Sequence, residues 1–241
     1  MIAVLIAEYT KLRRSLVLLL CAAAPTMVTA MAFVILLASK RPQGWEAYMT
    51  NACAVWAIFM LPMAVTALTV LVAQIEHGSR AWNHLLALPI PRWRFFAAKA
   101  VVVLSLTAAM SLILFALLAP AGLLAKAVRP SVGLGGPVPM AQTAWILARM
   151  FAGSVLMTVI QLWAALRFRS FVPPLILGIG GTFVAVAATS AKQGAFFPWL
   201  IPLNVIVHDP GRAELALAVG LWGGLALGVV MLVAMSRHQP Q

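Results

Sequence analysis

Two histidines and a glutamate are the residues of this sequence whose spacing comes nearest to a metal site. His77 and His84 are seven positions apart and follow Glu76, so in a helix the two imidazoles share one face. Seven positions are two helical turns, about 10 Å of rise, which is too far for both side chains to bind one ion. We therefore predict no metal site and interpret these histidines as solvated side chains of a loop.

Motifs for phosphate binding and hydrolysis do not occur in the sequence. No G-x-x-x-x-G-K-[ST] loop is present, and Gly133, Gly135 and Gly136 are followed by Pro137. Neither H-E-x-x-H nor G-x-S-x-G occurs. The chain is therefore not expected to be an enzyme or to bind a cofactor of its own.

The few acidic residues lie outside the long apolar runs of the sequence. They are Glu8, Glu46, Glu76, Asp209 and Glu214. Carriers driven by protons or sodium ions usually place ionisable or discontinuous polar groups near the middle of the membrane. If this chain takes part in transport, we expect the energy to come from another protein.

The most informative pattern of side chains lies in the 74–99 segment. A serine can cap a short helix, three large apolar side chains share one face of that helix, and two prolines end it. Such a helix can insert into a groove of a soluble partner, but the same pattern suits a helix that lies on lipid headgroups. The residues alone leave both interpretations open. They are Ser79, then Trp82, Leu85 and Leu86, then Pro89 and Pro91.

The composition shows which elements must position this segment. Of 241 residues, 63% are hydrophobic and 9% are charged, whereas a soluble domain has about 25% charged residues. The surrounding solvent must therefore be lipid, and five uncharged runs are long enough for a hydrocarbon core of about 30 Å. A sixth apolar run contains one charge, Arg149. We predict an all-α polytopic membrane protein with a single domain, residues 1–241, and six spans near 15–39, 50–75, 100–122, 143–166, 171–190 and 215–236.

The basic residues predict the orientation of the spans. With both termini in the cytoplasm, ten of the seventeen Lys and Arg residues lie on the cytoplasmic side. The loop between the second and third spans then faces the cytoplasm. The formal net charge of +12 is explained by cytoplasmic loops and anionic lipid headgroups, so nucleic acid is not an expected partner.

Two further patterns concern helix packing. The first twelve residues place apolar side chains at helical spacing, which predicts an N-terminal interfacial helix on the inner leaflet. In the last predicted span, Gly220, Gly224 and Gly228 recur every four residues, a pattern that lets helices approach closely. Packing inside the bundle and packing against another subunit are both open.

Three places in the sequence together match one family of membrane proteins. They hold Glu76, Gly78, Ser79, Trp82, the run from Leu85 to Ile90, Arg92, Phe96 and Lys99; Glu8, Lys11, Leu12 and Arg13; and Phe197, Pro198, Trp199 and Pro202. With its length and span count, the chain resembles the ABC-2 type exporter permeases, particularly their short lantibiotic-immunity branch. The 76–99 segment looks like the first cytoplasmic loop of that family.

This resemblance implies a permease subunit in the bacterial cytoplasmic (inner) membrane. It would pair with a second permease, identical or different, and with a cytoplasmic ABC ATPase dimer that binds ATP and Mg. The loop would contain a short coupling helix, and the substrate would be an amphipathic peptide antibiotic or another hydrophobic molecule, giving antibiotic resistance or self-immunity. The ATPase-coupling residues would be Glu76, Gly78, Ser79, Trp82, Leu85, Leu86 and Pro89.

Another class of function competes with this interpretation. The chain could be a membrane scaffold or a cofactor-handling subunit without its own transport cycle. Handling of haem would need histidine ligands near the membrane faces. Outside the loop, His208 and His238 are the histidines near predicted span ends.

Overall fold

The computed structural model describes residues 1–13, 15–79, 91–207 and 209–237, including the side chains in these ranges except those of residues 78, 79 and 192. Within these ranges the chain is helical and has no β-strand, as the sequence predicts. Lipid offers no hydrogen bonds to the backbone, and a helix satisfies its N–H and C=O groups within one segment.

The described residues contain ten α-helices. They are α1 (Ile2–Leu12), α2 (Val17–Ala38), α3 (Trp45–Val55), α4 (Leu61–Ser79), α5 (Trp93–Val128), α6 (Met140–Arg167), α7 (Val172–Ala187), α8 (Ile201–Asn204), α9 (Pro210–Ala218) and α10 (Gly224–Arg237). The π-helical turns Trp56–Met60 and Val219–Gly223 join α3 to α4 and α9 to α10. Two 3-10 helices, Pro130–Val132 and Lys192–Phe196, lie between longer elements.

In the described residues, five continuous helical segments, which we call rods, are long and apolar enough to cross a membrane, whereas the sequence predicts six. They are Val17–Ala38, Trp45–His77, Trp93–Val128, Met140–Arg167 and Pro210–Arg237. The predicted span at 171–190 corresponds to α7, which has 16 residues. At about 1.5 Å per residue α7 is about 24 Å long, shorter than a typical hydrocarbon core. The count of six is therefore not established.

Pro62 explains the π-helical turn in the second rod. Proline has no backbone N–H, so the carbonyl of Ile58 loses its usual partner. Directly before the proline the helix widens, and the N–H of Leu61 donates to the carbonyl of Trp56, five residues earlier. The turn therefore lets one long rod continue past a proline.

The core of the bundle is organised around α6. Gln161 of α6 is fully buried, and its Nε2 donates to the carbonyl of Pro174 at 2.6 Å. Gly178 of α7 lies against Thr66 of α4 and against Gln161, because an added Cβ would come within 3.0 Å of both side chains. These contacts place α7 in the crevice between α4 and α6.

The segment between α7 and α9 packs deep against the bundle. The ring of Trp199 lies on Gly181, and the side chains of Ile201 and Val205 lie 3.2 Å from the position of a Cβ on Gly153. Gly153 is thirteen residues along α6 from Met140, which corresponds to about 20 Å of rise. The segment is thus part of the core beside the first half of α6.

Two arginines pair within the same end of the bundle. Arg149 Nη1 lies 2.7 Å from Glu214 Oε1, which joins α6 to α9 and gives a partner to the one charge in the fourth predicted span. Arg212 donates from Nε to Asn204 Oδ1 at 2.8 Å and from Nη2 to the carbonyl of Ala191 at 2.9 Å. These bonds fasten the segment between α7 and α9 to the last rod.

We call the opposite end the base of the bundle: α1 together with residues 74–79, 91–99 and 167–172. The base is held together by packing and hydrogen bonds. Val4 of α1 packs with Phe95 and Ala98 of α5, and Tyr9 and Ser105 form a hydrogen bond of 2.5 Å. Because both contacts run in the same direction along the two helices, α1 follows the first part of α5. The N-terminal residues thus form a helix that packs on α5, and its predicted position at the membrane interface stays a prediction.

Candidate functional site

Four charged side chains from three helices form a closed ring at the base. Lys11 Nζ lies 2.6 Å from Glu8 Oε1 and 3.0 Å from Glu76 Oε1. Lys99 Nζ lies 2.8 Å from Glu8 Oε2 and 2.6 Å from Glu76 Oε2. Each carboxylate therefore accepts from both ammonium groups, one on each oxygen. We call Glu8, Lys11, Glu76 and Lys99 the charge ring.

Most of the charge ring is removed from solvent. The side chains of Glu76 and Lys99 are each 1% exposed, that of Glu8 is 5% exposed and that of Lys11 is 30% exposed. A lysine is almost never fully buried without a partner, because the desolvation of an isolated ammonium is costly. The two positive and two negative charges of the ring cancel, which makes this burial possible.

The position of each charged residue along its helix explains how its side chain reaches the ring. Glu8 and Lys11 are three residues apart on α1, so they lie on the same face of that helix. Glu76 is in the last turn of α4, and Lys99 lies near the start of α5. Apolar contacts between α1 and α5 lie beside the ring and keep water away from the Lys99 side of it.

The two α1 members of the ring have shifted pKa values. Burial alone would raise the pKa of Glu8, but the charge of Lys99 and the hydrogen bonds from Lys11 and Lys99 outweigh it, so the pKa lies below its ordinary value of 4.5. Burial alone would lower the pKa of Lys11, but hydrogen bonds and charges from Glu8 and Glu76 raise it above 10.5. Both groups are therefore ionised at neutral pH.

The ring lies where the predicted coupling segment joins the bundle. Glu76 precedes residues 80–90 and Lys99 follows them. The 2.6 Å ion pair between the two side chains therefore joins the two ends of this segment. Glu8 and Lys11 bind the same two side chains and connect α1 to both flanks. A displacement of either flank must therefore move α1 and the other flank or break a buried ion pair.

The predicted coupling residues have different positions with respect to the ring. The carboxylate of Glu76 is buried in the ring rather than exposed on a docking surface. Gly78 and Ser79 belong to the last turn of α4. The predicted coupling helix, with Trp82, Leu85, Leu86 and Pro89, lies outside the described residues.

Sequence reasoning did not assign Glu8, Lys11 and Lys99 to the site. One signal could have pointed to them. The chain has only five acidic residues, and Glu8 and Glu76 are the two that lie on the predicted cytoplasmic side, where Lys11 and Lys99 also lie. Pairing them across three helices required the tertiary structure. Within the described residues, no group of three or more His, Cys, Asp or Glu side chains could hold a metal ion.

Two of the three glycines that the sequence predicts to pack closely contact another helix of the same chain. An added Cβ on Gly220 would lie 2.3 Å from the carbonyl oxygen of Gly153, and one on Gly224 would lie 2.6 Å from the backbone nitrogen of Leu156. A Cβ on Gly228 would meet its nearest neighbour only at 4.0 Å. Gly220 and Gly224 thus pack the last rod directly onto α6, whereas Gly228 has room for a side chain.

Comparison with known proteins identifies the family of the chain. No curated protein and no solved structure is significantly similar to it. Residues 4–185 match the family described as ABC-2 family transporter protein. The match covers well over half of the 241 residues and includes all four members of the charge ring. The chain therefore belongs to the ABC-2 family of transporter proteins, the transmembrane permease subunits that work with an ABC ATPase.

Proposed function

We propose that this permease subunit receives the force of ATP hydrolysis through residues 80–90 and passes it to the bundle through the charge ring. The observation that carries the proposal is the closed ring of Glu8, Lys11, Glu76 and Lys99, which joins both flanks of this segment to α1. The family match supports an ATPase partner. The segment supplies a predicted apolar helix face for that partner.

The ring gives this segment a rigid attachment. Two helices that flank a loop can separate when a force acts on the loop, and the force is then not transmitted to the rest of the bundle. The buried bridge between Glu76 and Lys99 opposes this separation, since moving the two charges apart would take from each of them one of its two oppositely charged partners, which is costly for buried groups. The flanks are therefore expected to move as one body together with α1.

We propose a complex of an ABC ATPase dimer with two permease subunits, identical or different. ATP and Mg are bound by the ATPase, and this chain needs no cofactor. Because Gly220 and Gly224 already contact α6 of the same chain, the second permease is expected to bind another face of the bundle.

The proposed topology has six spans, with α7 as the fifth crossing. α7 is apolar, and its 16 residues can cross where the bilayer thins or polar flanking residues reach the interface. An even number of crossings places both termini on one side, and the Lys and Arg distribution favours the cytoplasm. The proposed location is the bacterial inner membrane, with α1 at its cytoplasmic interface.

The proposed substrate is an amphipathic peptide antibiotic of the lantibiotic type, or another hydrophobic molecule that enters from the membrane. An apolar groove between α5 and α6 supports a hydrophobic substrate. It has a volume of about 230 Å³ and is lined by side chains such as Leu112, Phe115 and Phe151, with no charged residue. Export of such a molecule would give resistance or self-immunity.

The proposal is tested by purifying the tagged full-length chain with its ATPase and measuring ATP hydrolysis. We expect Trp82→Asp, Leu85→Asp and Leu86→Asp to remove the ATPase from the complex, because each puts a charge on the apolar face of the helix that the sequence predicts there. Lys99→Gln should keep the ATPase bound, but substrate-dependent hydrolysis per folded complex should fall. Trp145→Asp is the matched control, since it makes the same change at an exposed tryptophan of the opposite end.

Two outcomes would contradict the proposal. If the three Asp variants retain the ATPase with unchanged hydrolysis, residues 80–90 are not the coupling segment and a scaffold role is favoured. If Lys99→Gln retains full substrate-dependent hydrolysis and export in a correctly folded complex, the ring does not transmit force.

A further inference from the structure

A groove with one cationic rim residue lies at the base, between α6, α7 and α10. Its apolar walls include Ile160 and Trp163 of α6, Leu177 of α7 and Leu227 of α10, and its volume is about 370 Å³. Arg167, the last residue of α6, lines the same groove. Ile160 and Arg167 are seven residues apart on α6, so the apolar part extends about 10 Å from the guanidinium toward the middle of the bundle.

The positive charge at this rim has no acidic partner. Arg167 is exposed, and no hydrogen bond or ion pair joins its guanidinium to any other residue that the structure describes. No acidic residue occurs on α6, α7 or α10, and the charged residues that follow α6 in the chain and end α10, Arg169 and Arg237, are also basic. The carbonyl groups at the end of α6 supply only a partial negative charge. This rim therefore attracts an anion from outside the chain.

Other grooves on the bundle lack this charge. The groove between α2 and α5, near Phe33 and Pro120, has a volume of about 290 Å³ and no charged lining residue. The groove between α5 and α6, near Phe115, is also uncharged. Such grooves can accept the acyl chain of any lipid. Only the groove at Arg167, among these three, combines an apolar channel with a cation at one end.

We propose that this groove binds an anionic phospholipid such as phosphatidylglycerol. The phosphate ester contacts the guanidinium of Arg167, and one acyl chain lies along Trp163, Leu177 and Leu227. Arg169 is two residues further along the chain and is also exposed, so it is expected to add a second positive charge to the headgroup region. Phe168 is exposed and lines the same groove, and in the proposed topology it would lie at the interface, where aromatic side chains are enriched.

This arrangement distinguishes lipids by headgroup charge rather than by chain. A zwitterionic lipid offers the same acyl chain, but the ammonium in its headgroup is repelled by the two arginines. One basic side chain near an anionic surface changes lipid affinity by about fivefold. The site therefore predicts a preference for anionic over zwitterionic lipid at the base.

The test uses Trp163 as a reporter in the full-length chain reconstituted in nanodiscs. Lipids with brominated chains quench nearby tryptophans, so brominated phosphatidylglycerol is titrated against brominated phosphatidylcholine. The quenching that is lost in Trp163→Phe isolates the groove signal from the other seven tryptophans. We expect wild type to prefer the anionic lipid by at least fivefold, and Arg167→Gln to reduce this preference to about twofold or less. Arg167→Lys should keep most of it.

Arg237→Gln is the matched control, because it removes one exposed charge at the end of α10 without changing a residue of the groove. An equal loss of preference in Arg237→Gln and Arg167→Gln would indicate a general charge effect and overturn the proposal. Equal quenching by both lipids in wild type would also overturn it. The assay needs no ATPase, so its failure leaves the proposed transport function untouched.

Discussion

The ammonium of Lys99 lies 2.6 Å from the carboxylate of Glu76, although the two residues are 23 positions apart in the chain. Both side chains are almost fully buried, and the connection between them contains the segment proposed to receive force from the ATPase. Glu8 and Lys11 complete the pair into a ring, so a helix from the start of the chain is fastened to the same place.

Removing the charge of Lys99 should destabilise the protein strongly. Lys99→Gln leaves two buried carboxylates with one ammonium, and the loss of one partner of a buried ion pair costs about 3–5 kcal/mol. We expect the apparent Tm in detergent to fall by about 2–4 °C for each kcal/mol. Lys126→Gln, an exposed lysine at the opposite end, should have almost no effect. An equal Tm for Lys99→Gln and wild type would contradict the buried pair.

Removing both members of that pair should be less harmful than removing either one. In the double variant Glu76→Met and Lys99→Met, Glu8 and Lys11 remain as a neutral pair, and buried ion pairs can often be replaced by apolar side chains without loss. The coupling free energy of the double-mutant cycle should be about 1–3 kcal/mol, measured from the apparent Tm or from denaturant unfolding. Simple additivity of the two single effects would show that these residues do not interact.

The attachment of α1 should depend on pH at both extremes. The pKa of Glu8 is lowered, so its stabilising effect is complete above 4.5 and is lost as the pH falls through the lower value of the folded state. The pKa of Lys11 is raised, so its effect is complete below 10.5 and is lost as the pH rises through the higher value of the folded state. Amide exchange of residues 2–12 should therefore be slowest, relative to the intrinsic rate, between these limits.

Glu8→Gln is the control for the acid limb of this profile. In that variant the protection of residues 2–12 should be reduced at neutral pH, and the difference from wild type should shrink below pH 4.5. A difference that stays constant down to pH 2 would mean that protonation of Glu8 does not release α1.

A methyl group should distinguish the close glycines from the open one. Gly220→Ala and Gly224→Ala each force a Cβ against the backbone of α6, which cannot move aside as a flexible side chain can. We expect a loss of about 1–3 kcal/mol for each. Gly228→Ala has room for its Cβ and should be neutral or stabilise by up to about 1 kcal/mol, because alanine favours the helix. Denaturant unfolding in detergent measures all three, and equal effects would contradict the packing described.

The sequence by itself determined the solvent of the protein, its helical class and the approximate position of five long rods. This is possible because the cost of placing a charge or an unpaired backbone group in lipid is read from each stretch of residues alone. The glycine pattern of the last rod was also visible as a repeat, although its partner was not. Which of the three glycines lies in contact depends on α6, and only Gly220 and Gly224 meet its backbone closely.

Only the tertiary structure decided the length of α7 and the formation of the charge ring. The uncharged run of the sequence continues to Ala191, but α7 ends at Ala187, and the residues that follow form turns and a 3-10 helix. Glu76 has the character of a loop residue in the sequence, since a glutamate beside a span usually faces water. It is buried because Lys99 and Lys11 reach it from two other helices, and a contact over 65 positions exists only when the helices pack. Local sequence sets the charge of each side chain, and the fold decides which opposite charge neutralises it.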